Sequence, residues 1–247
     1  MNFKQDVQEF FKKSYEEIYA PLRKAGGTEP LRRSIFKDAN EMNRAALHDL
    51  YLSERFLPFL FAVGCIGGDY FTSLSKRSAQ EHCAWLIATE KYPNPDGIKV
   101  LDYGCGSAFL SIKLALMGYD VTLMDIPHKF FRFIQYLVEK HRIQNIGFAD
   151  ITLKENDIVG QMDYVICSEV LEHVYDPVAT LKNLCSHLKI GGWMYLSHWF
   201  EDDHGSDPSH LKRNNKYRDF DSFTEAEGLV PLVKNEGNTF KGFQKKG

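Results

Sequence analysis

The sequence has few cysteines, and its first residues form no uninterrupted apolar run. Its five cysteines include no C-x-x-C pair, and a chain of 247 residues is long enough to fold around a core without disulfides. The first residues, MNFKQDVQEFFKKSYEEIY, are amphipathic and charged where a secretory signal has an uninterrupted apolar run. We therefore expect reduced thiols and a cytoplasmic location.

Long apolar runs and a strong charge of one sign are absent as well. The longest apolar stretch, residues 56–66, is interrupted by Pro58 and Gly64 and is too short to cross a bilayer, so we expect no stable membrane insertion. The net charge is -3, without the basic run that marks a dedicated nucleic-acid binder. These absences favour a small-molecule partner over RNA, and DNA is not an expected partner.

The hydrophobic pattern divides the chain into a helical segment and an alternating one. Apolar residues recur at helical spacing from Val7 to Ile18 and around Ala84, and a turn cluster at 92–97 ends this part. The predicted strands are 98–103, 120–125, 145–149, 163–168, 192–199, 229–234 and 239–244, and the predicted helices between them are 107–117, 128–141, 176–188 and 219–228.

Strands that alternate with helices form a parallel sheet with helices on both faces. We therefore expect an α/β fold with a seven-stranded, mostly parallel sheet, a C-terminal antiparallel hairpin and an N-terminal helical cap. Residues 1–92 are the expected cap, which would recognise the substrate, and residues 93–247 the expected catalytic domain.

A glycine turn follows the first predicted strand. In Val100-Leu-Asp-Tyr-Gly-Cys-Gly, the glycines Gly104 and Gly106 allow close approach of a ligand, and the next helix offers free N–H groups. A dinucleotide fingerprint needs a third glycine three residues on, where this chain has Phe109. An NAD-dependent oxidoreductase is therefore disfavoured.

Three further signals stand at the carboxyl ends of strands, where ligands bind in such sheets. Asp125 ends the second strand, and its carboxylate suits the hydroxyls of a ribose. Asp150 ends the third, placed to accept from an adenine amino group while Ile151 packs on the ring. After the fourth strand, Ser168 and Glu169 open a polar turn.

The stretches LDYGCGSAFL, MDI, FADI and CSEVLEHVYDP resemble class I S-adenosylmethionine (SAM)-dependent methyltransferases, above all those of the ubiquinone/menaquinone-biosynthesis type. The resemblance covers residues 98–200 and implies a Rossmann-like fold with SAM as cofactor. It implies that Asp102, Gly104 and Gly106 surround the methionine part and that Ser168 and Glu169 line the route to the methyl group. The implied cofactor-binding positions are Asp102, Gly104, Cys105, Gly106, Asp125, Ile126, Asp150, Ile151, Ser168 and Glu169.

The E-x-x-E-H turn has two interpretations. Glu169, Glu172 and His173 are suited to hold a divalent cation such as magnesium against a substrate hydroxyl, with His198 as a fourth ligand. The pattern resembles metal-binding ubiquinone-pathway O-methyltransferases and small-RNA 3′-terminal 2′-O-methyltransferases. Alternatively, the glutamates cap a helix, no metal binds, and His173 or His198 is the general base.

We expect methyl transfer to an oxygen or nitrogen of a small molecule. The alternatives are a metal-dependent O-methyltransferase, including one that acts on an RNA 2′-hydroxyl, and a catalytically silent SAM-binding protein. Base-modifying DNA methyltransferases are disfavoured because Ser168-Glu169 stands where they have Asn/Asp-Pro-Pro-Tyr or Pro-Cys. We expect the loop 198–210 to shape the substrate site, and Gly67-Gly68 with Tyr70-Phe71 to be either a hinged lid or core packing.

Overall fold

A computed structural model describes residues 3–64, 79–151, 160–200, 209–234 and 240–247. Its centre is a seven-stranded sheet in the order β3-β2-β1-β4-β5-β7-β6. The strands are β1 (Lys99–Tyr103), β2 (Asp120–Asp125), β3 (Ile146–Asp150), β4 (Met162–Ser168), β5 (Leu188–Ser197), β6 (Leu229–Lys234) and β7 (Phe240–Lys245). The first five strands run parallel, while β7 pairs antiparallel with both β5 and β6. This confirms the predicted fold class.

Helices cover the sheet and precede it. Those after β1 are α7 (Phe109–Leu116), α8 (Lys129–Lys140), α9 (Pro177–His187) and α10 (Asp221–Ala226). The N-terminal helices are α1 (Phe3–Phe11), α2 (Tyr15–Ala25), α3 (Thr28–Phe36), α4 (Arg44–Leu52), α5 (Leu57–Gly64) and α6 (Ala79–Lys91). In the part of the chain that the structure describes, no helix has the length and apolarity that a membrane crossing requires.

Local sequence explains where the elements begin. Ser14 caps α2 in a capping box with Glu17, and Asp176 caps α9 with Pro177 in the first turn. The apolar runs of β1 and β4 are buried because helices cover both faces of the parallel part of the sheet. Strand β5 begins at Leu188, earlier than predicted, because Leu188 pairs with Met162 before a register shift.

The N-terminal helices pack in two places. Helix α6 lies against the sheet, where the Tyr164 hydroxyl donates to the Ala84 carbonyl and the Tyr119 hydroxyl to the Tyr92 carbonyl. Helices α3, α4 and α5 form a separate apolar cluster around Phe36. That cluster stands over the carboxyl ends of the strands and forms one wall of the cavity described below.

Candidate active site

A cavity of about 740 Å³ lies at the carboxyl ends of β1, β2 and β4. Its sheet side is lined by Gly104, Gly106, Asp125, Ile126, Ile151 and Glu169. Its opposite wall comes from the N-terminal part of the chain and combines aromatic with basic side chains, which are Phe36, Tyr51, Phe56 and Phe59 beside Arg32, Arg44 and His48. The cavity therefore joins most of the predicted cofactor positions to the predicted substrate cap.

The glycine turn is shaped for close approach. Gly104 has a φ of +68°, and a Cβ there would stand 2.5 Å from Cγ2 of Val170. Gly106 also has positive φ, but among the described residues a Cβ there would come within 4.0 Å of the Gly104 carbonyl oxygen alone. Gly104 is thus required for packing against the turn after β4, whereas Gly106 leaves open space at the cavity.

Asp125 connects the end of β2 to the glycine turn. Its Oδ2 accepts from the Gly106 N–H at 2.7 Å and its Oδ1 from the Ile126 N–H at 2.7 Å. The residue is 8% exposed and lines the cavity. Because an ionised carboxylate has about four acceptor positions, two backbone donors leave room for the hydroxyls of a ligand.

His128, which the sequence analysis missed, supports Asp125 from the start of α8. Its Nδ1 accepts from the Phe131 N–H at 2.9 Å, so the proton of the neutral ring is on Nε2. Nε2 lies 3.6 Å from Oδ1 of Asp125. The available signal was the position of His128 just before an amphipathic helix, where a side chain can cap.

Asp102 and Cys105 are buried within the glycine turn. The Asp102 carboxylate accepts from the Ser111 hydroxyl at 2.6 Å, which joins β1 to α7. Burial, with Asp125 and Asp102 nearby, holds the pKa of the Cys105 thiol well above its usual range. Cys105 is therefore a protonated structural thiol rather than a nucleophile.

The two positions predicted to hold adenine lie at the end of β3. The Asp150 carboxylate pairs with Nη2 of Arg132 at 2.5 Å, and Asp150 is not among the residues that line the cavity. Ile151 lines the cavity, and its N–H donates to the Asp125 carbonyl at 2.8 Å. Their roles toward adenine stay predictions.

The turn after β4, residues 169–174 (the β4 turn), has an unusual backbone. Glu169 has a φ of +54°, a conformation that non-glycine residues adopt rarely. Its N–H donates to the Ser197 carbonyl at 3.0 Å, and the Ser168 and Ser197 hydroxyls are 2.9 Å apart. A strained backbone of this kind persists only where surrounding contacts hold it, and such residues cluster at functional sites.

The two glutamates of the β4 turn share a low-polarity environment. Glu172 is 1% exposed, and its Oε1 accepts from the Trp199 N–H at 3.3 Å. Burial raises the pKa of Glu172 well above its usual range, and the Glu169 carboxylate raises it further. Burial also raises the pKa of Glu169. The pair therefore retains a proton more readily than two exposed carboxylates would.

His173 lines the cavity and is anchored through one ring nitrogen. Its Nδ1 lies 2.9 Å from the Ser209 carbonyl oxygen, which only accepts, so Nδ1 carries a proton. In the neutral ring, Nε2 is therefore the basic nitrogen. The His210 ring packs edge-on at 4.9 Å, and one ligand atom each from Glu172, His173 and His210 lie within 4.8 Å of one another.

His198 lies elsewhere. Its ring packs against Phe200 and Phe220, at centroid distances of 4.6 and 5.2 Å, and does not line the cavity. Burial lowers the pKa of His198 to about 4. Within the described part of the chain, the histidine grouped with Glu172 and His173 is His210, and a role for His198 as ligand or base stays a prediction. Helical spacing cannot reveal His210, since it lies in an irregular segment.

Some predicted features lie outside the described residues. These are the glycine–aromatic stretch 67–71 and most of the loop 198–210, of which residues 201–208 are not described. The described end of that loop, Ser209 and His210, lines the cavity.

Residues 76–236, well over half of the chain, match the family model described as a methyltransferase domain. Over 103 residues the chain is 33% identical to the ubiquinone biosynthesis O-methyltransferase of Albidiferax ferrireducens, and the match covers 41% of each protein. The chain thus matches less than half the length of its first curated relatives.

Two solved structures are similar in fold. TehB from Haemophilus influenzae superposes with a TM-score of 0.53 at 23% identity, over 72% of this chain and 66% of TehB. The 1,6-didemethyltoxoflavin-N1-methyltransferase of Burkholderia thailandensis gives 0.51 at 16% identity, over 72% of this chain and 86% of that one. At such identities the similarity shows the fold alone. The family model, in contrast, matches well over half of the chain, and the chain therefore belongs to the methyltransferase-domain family.

Proposed function

We propose that this chain is a SAM-dependent methyltransferase that methylates a hydroxyl group of a flat, apolar small molecule. The observation that carries the proposal is one cavity with two kinds of lining. Gly106, Asp125 and Ile151 lie on the side suited to a nucleoside, and His173 adds a ring nitrogen suited to an acceptor.

The residues of the sheet side fit SAM. The open space beside Gly106 admits a ligand chain close to the backbone, and Asp125 keeps acceptor positions for the two ribose hydroxyls. Ile151 offers an apolar surface for a base, and Ile126 adds to it. When bound, SAM supplies a methyl group on a sulfonium, which needs an aligned nucleophile more than it needs activation.

His173 is the proposed general base. A hydroxyl acceptor must lose its proton, and an imidazole nitrogen near neutral pKa suits that task. The Nδ1 hydrogen bond to the Ser209 carbonyl fixes the ring with Nε2 as the acceptor nitrogen, and it stabilises the imidazolium once the proton has moved. With His173 as the base, Glu169 and Glu172 need not take part in proton transfer.

The cap wall selects the acceptor and excludes water. Phe36, Phe56 and Phe59 give it flat apolar surfaces that suit an aromatic ring, which is why we propose a phenolic hydroxyl. The O-methyltransferase name of the curated relatives supports oxygen over nitrogen. The cysteines of the described residues are free thiols, which supports a reducing cytoplasmic location.

A metal-assisted variant is the second candidate, favoured by one observation. The grouped ligand atoms of Glu172, His173 and His210 offer one carboxylate and two imidazoles, a donor set suited to a divalent transition metal or, with substrate oxygens and waters, to magnesium. Glu169 lines the cavity beside them. A cation there would occupy the nitrogen that the metal-free route uses as a base, so the two routes exclude each other.

The test is turnover of SAM to its demethylated product with phenol and catechol as acceptors, in wild type and His173→Gln. His187→Gln, on α9 and outside the cavity, is the matched control. We expect a loss of about 10²–10⁴-fold in His173→Gln alone. Activity that EDTA abolishes and magnesium restores would select the metal route. Full activity of His173→Gln would contradict both routes.

A further inference from the structure

Residues 209–214 (the linking segment) join the cap to the β4 turn. On the cap side, Leu211 is fully buried in the cluster around Phe36, and the Lys212 N–H donates to Oδ1 of Asn40 at 2.6 Å. On the other side, the Leu211 N–H donates to the Glu172 carbonyl at 3.0 Å. The segment therefore contacts both walls of the cavity.

The last residue of the linking segment, Asn214, binds the backbone of the β4 turn. Its Nδ2 lies 2.9 Å from the Val174 carbonyl oxygen, 3.3 Å from that of Glu172 and 3.4 Å from that of Leu171. Three carbonyls only accept, so they fix which end of the amide is the nitrogen. Asn214 is 1% exposed, so these bonds are shielded from bulk solvent.

The hydrogen bonds of the Asn214 amide stabilise the β4 turn, whose backbone is in neither a helix nor a strand. The β4 turn begins with the left-handed Glu169 and carries Glu172 and His173, whose placement defines the proposed chemistry. A buried carbonyl without a donor costs about 1–3 kcal/mol, so one amide that serves three carbonyls stabilises this backbone path over alternatives.

We propose that Asn214 is a positioning residue of the active site: through the backbone of the β4 turn, its side-chain amide holds His173 at the cavity with Nδ1 donating to the Ser209 carbonyl. The proposal rests on the role of His173 given above. Asn214 is not among the residues that line the cavity, so its effect on turnover is indirect.

The experiment compares wild type with Asn214→Asp, which keeps the shape but replaces the donor by an acceptor. Long-range proton–nitrogen NMR reports which ring nitrogen of His173 carries the proton, with the signal assigned by its loss in His173→Gln. We expect the Nδ1–H tautomer in wild type and a mixture in Asn214→Asp. With phenolic acceptor, kcat should fall about 10- to 100-fold, because small misplacements of reacting groups have effects of that size.

SAM affinity separates positioning from general damage. Since Gly106 and Asp125 do not contact Asn214, the Kd for SAM should change less than about twofold, within the reach of distant effects. The matched control is Thr224→Val on α10, which removes one buried donor bond, 2.8 Å to the Asp221 carbonyl, far from the cavity. It should keep the His173 tautomer and kcat.

In Asn214→Asp, an unchanged His173 tautomer would overturn the proposal, and so would equal losses of kcat and SAM affinity. If Asn214→Asp does not fold, Asn214→Ala is measured in the same way. Independently, the proposal predicts that the side-chain amide protons of Asn214 exchange slowly with solvent in the wild-type protein. Fast exchange of these amide protons would contradict the proposal. The tautomer of His173 is measured without turnover. If His173→Gln is active, the proposal that His173 is the base fails, while the tautomer measurement still decides whether Asn214 positions the ring.

Discussion

Replacing Gly104 by alanine should destabilise the protein through two separate effects. The φ of +68° places any residue with a Cβ in the left-handed region, at a cost of roughly 1–2 kcal/mol. The new Cβ would also stand 2.5 and 2.9 Å from the two methyl groups of Val170, and overpacking of that kind costs about 1–3 kcal/mol. We therefore expect a loss of about 2–5 kcal/mol in the free energy of unfolding.

A double-mutant cycle separates the two effects. Val170→Ala removes both methyl groups and alone should cost about 1.5 kcal/mol for two lost methylene equivalents. In the double variant the two methyl contacts disappear, while the backbone cost and a 3.3 Å contact with the Cβ of residue 170 stay. The combined loss should therefore be smaller than the sum by about 1–3 kcal/mol. Urea unfolding of the four proteins measures this. Additive losses would refute the contact between the glycine turn and the β4 turn.

Two further predictions concern single side chains. Asp125→Asn should weaken SAM binding by about 1–3 kcal/mol, because charge-assisted hydrogen bonds are lost. Calorimetry measures this change, with Asp120→Asn at the exposed start of β2 as the control. Equal SAM affinities of wild type and Asp125→Asn would mean that Asp125 does not face the ribose. Because the pKa of His198 is lowered to about 4, the unfolded state binds more protons below the ordinary value of 6.5, so stability should fall as pH drops from 6.5 to 4. Urea unfolding should show a smaller fall in His198→Asn, and an identical pH profile would contradict the burial of a neutral His198.

The sheet was predictable from sequence because its signals are local. Buried β-branched runs such as 98–103 and the amphipathic pattern of 128–141 predict strands and helices without knowledge of the rest of the chain. The glycine turn and Asp125 were predictable for the same reason, since parallel strands bring their carboxyl ends to one edge. Gly106 and Asp125 are accordingly hydrogen-bonded in the structure.

The remainder of the site depends on contacts between residues distant in sequence. The aromatic wall from α3 to α5 reaches the cavity only because these helices pack over the strand ends, and their periodicity predicts helix formation but not that position. His198 and His210 both follow β5 in the sequence, and only packing distinguishes them: His210 joins His173, whereas His198 is enclosed by Phe200 and Phe220.

The most direct test of the account is calorimetric titration of the wild-type protein with SAM and with its demethylated product, using NADH as a comparison ligand. The account predicts one site per chain with a Kd on the order of micromolar for both sulfur compounds, about -8 kcal/mol, and no binding of NADH. A folded protein that binds neither SAM nor its product, or that binds NADH instead, would contradict the assignment of this cavity to SAM.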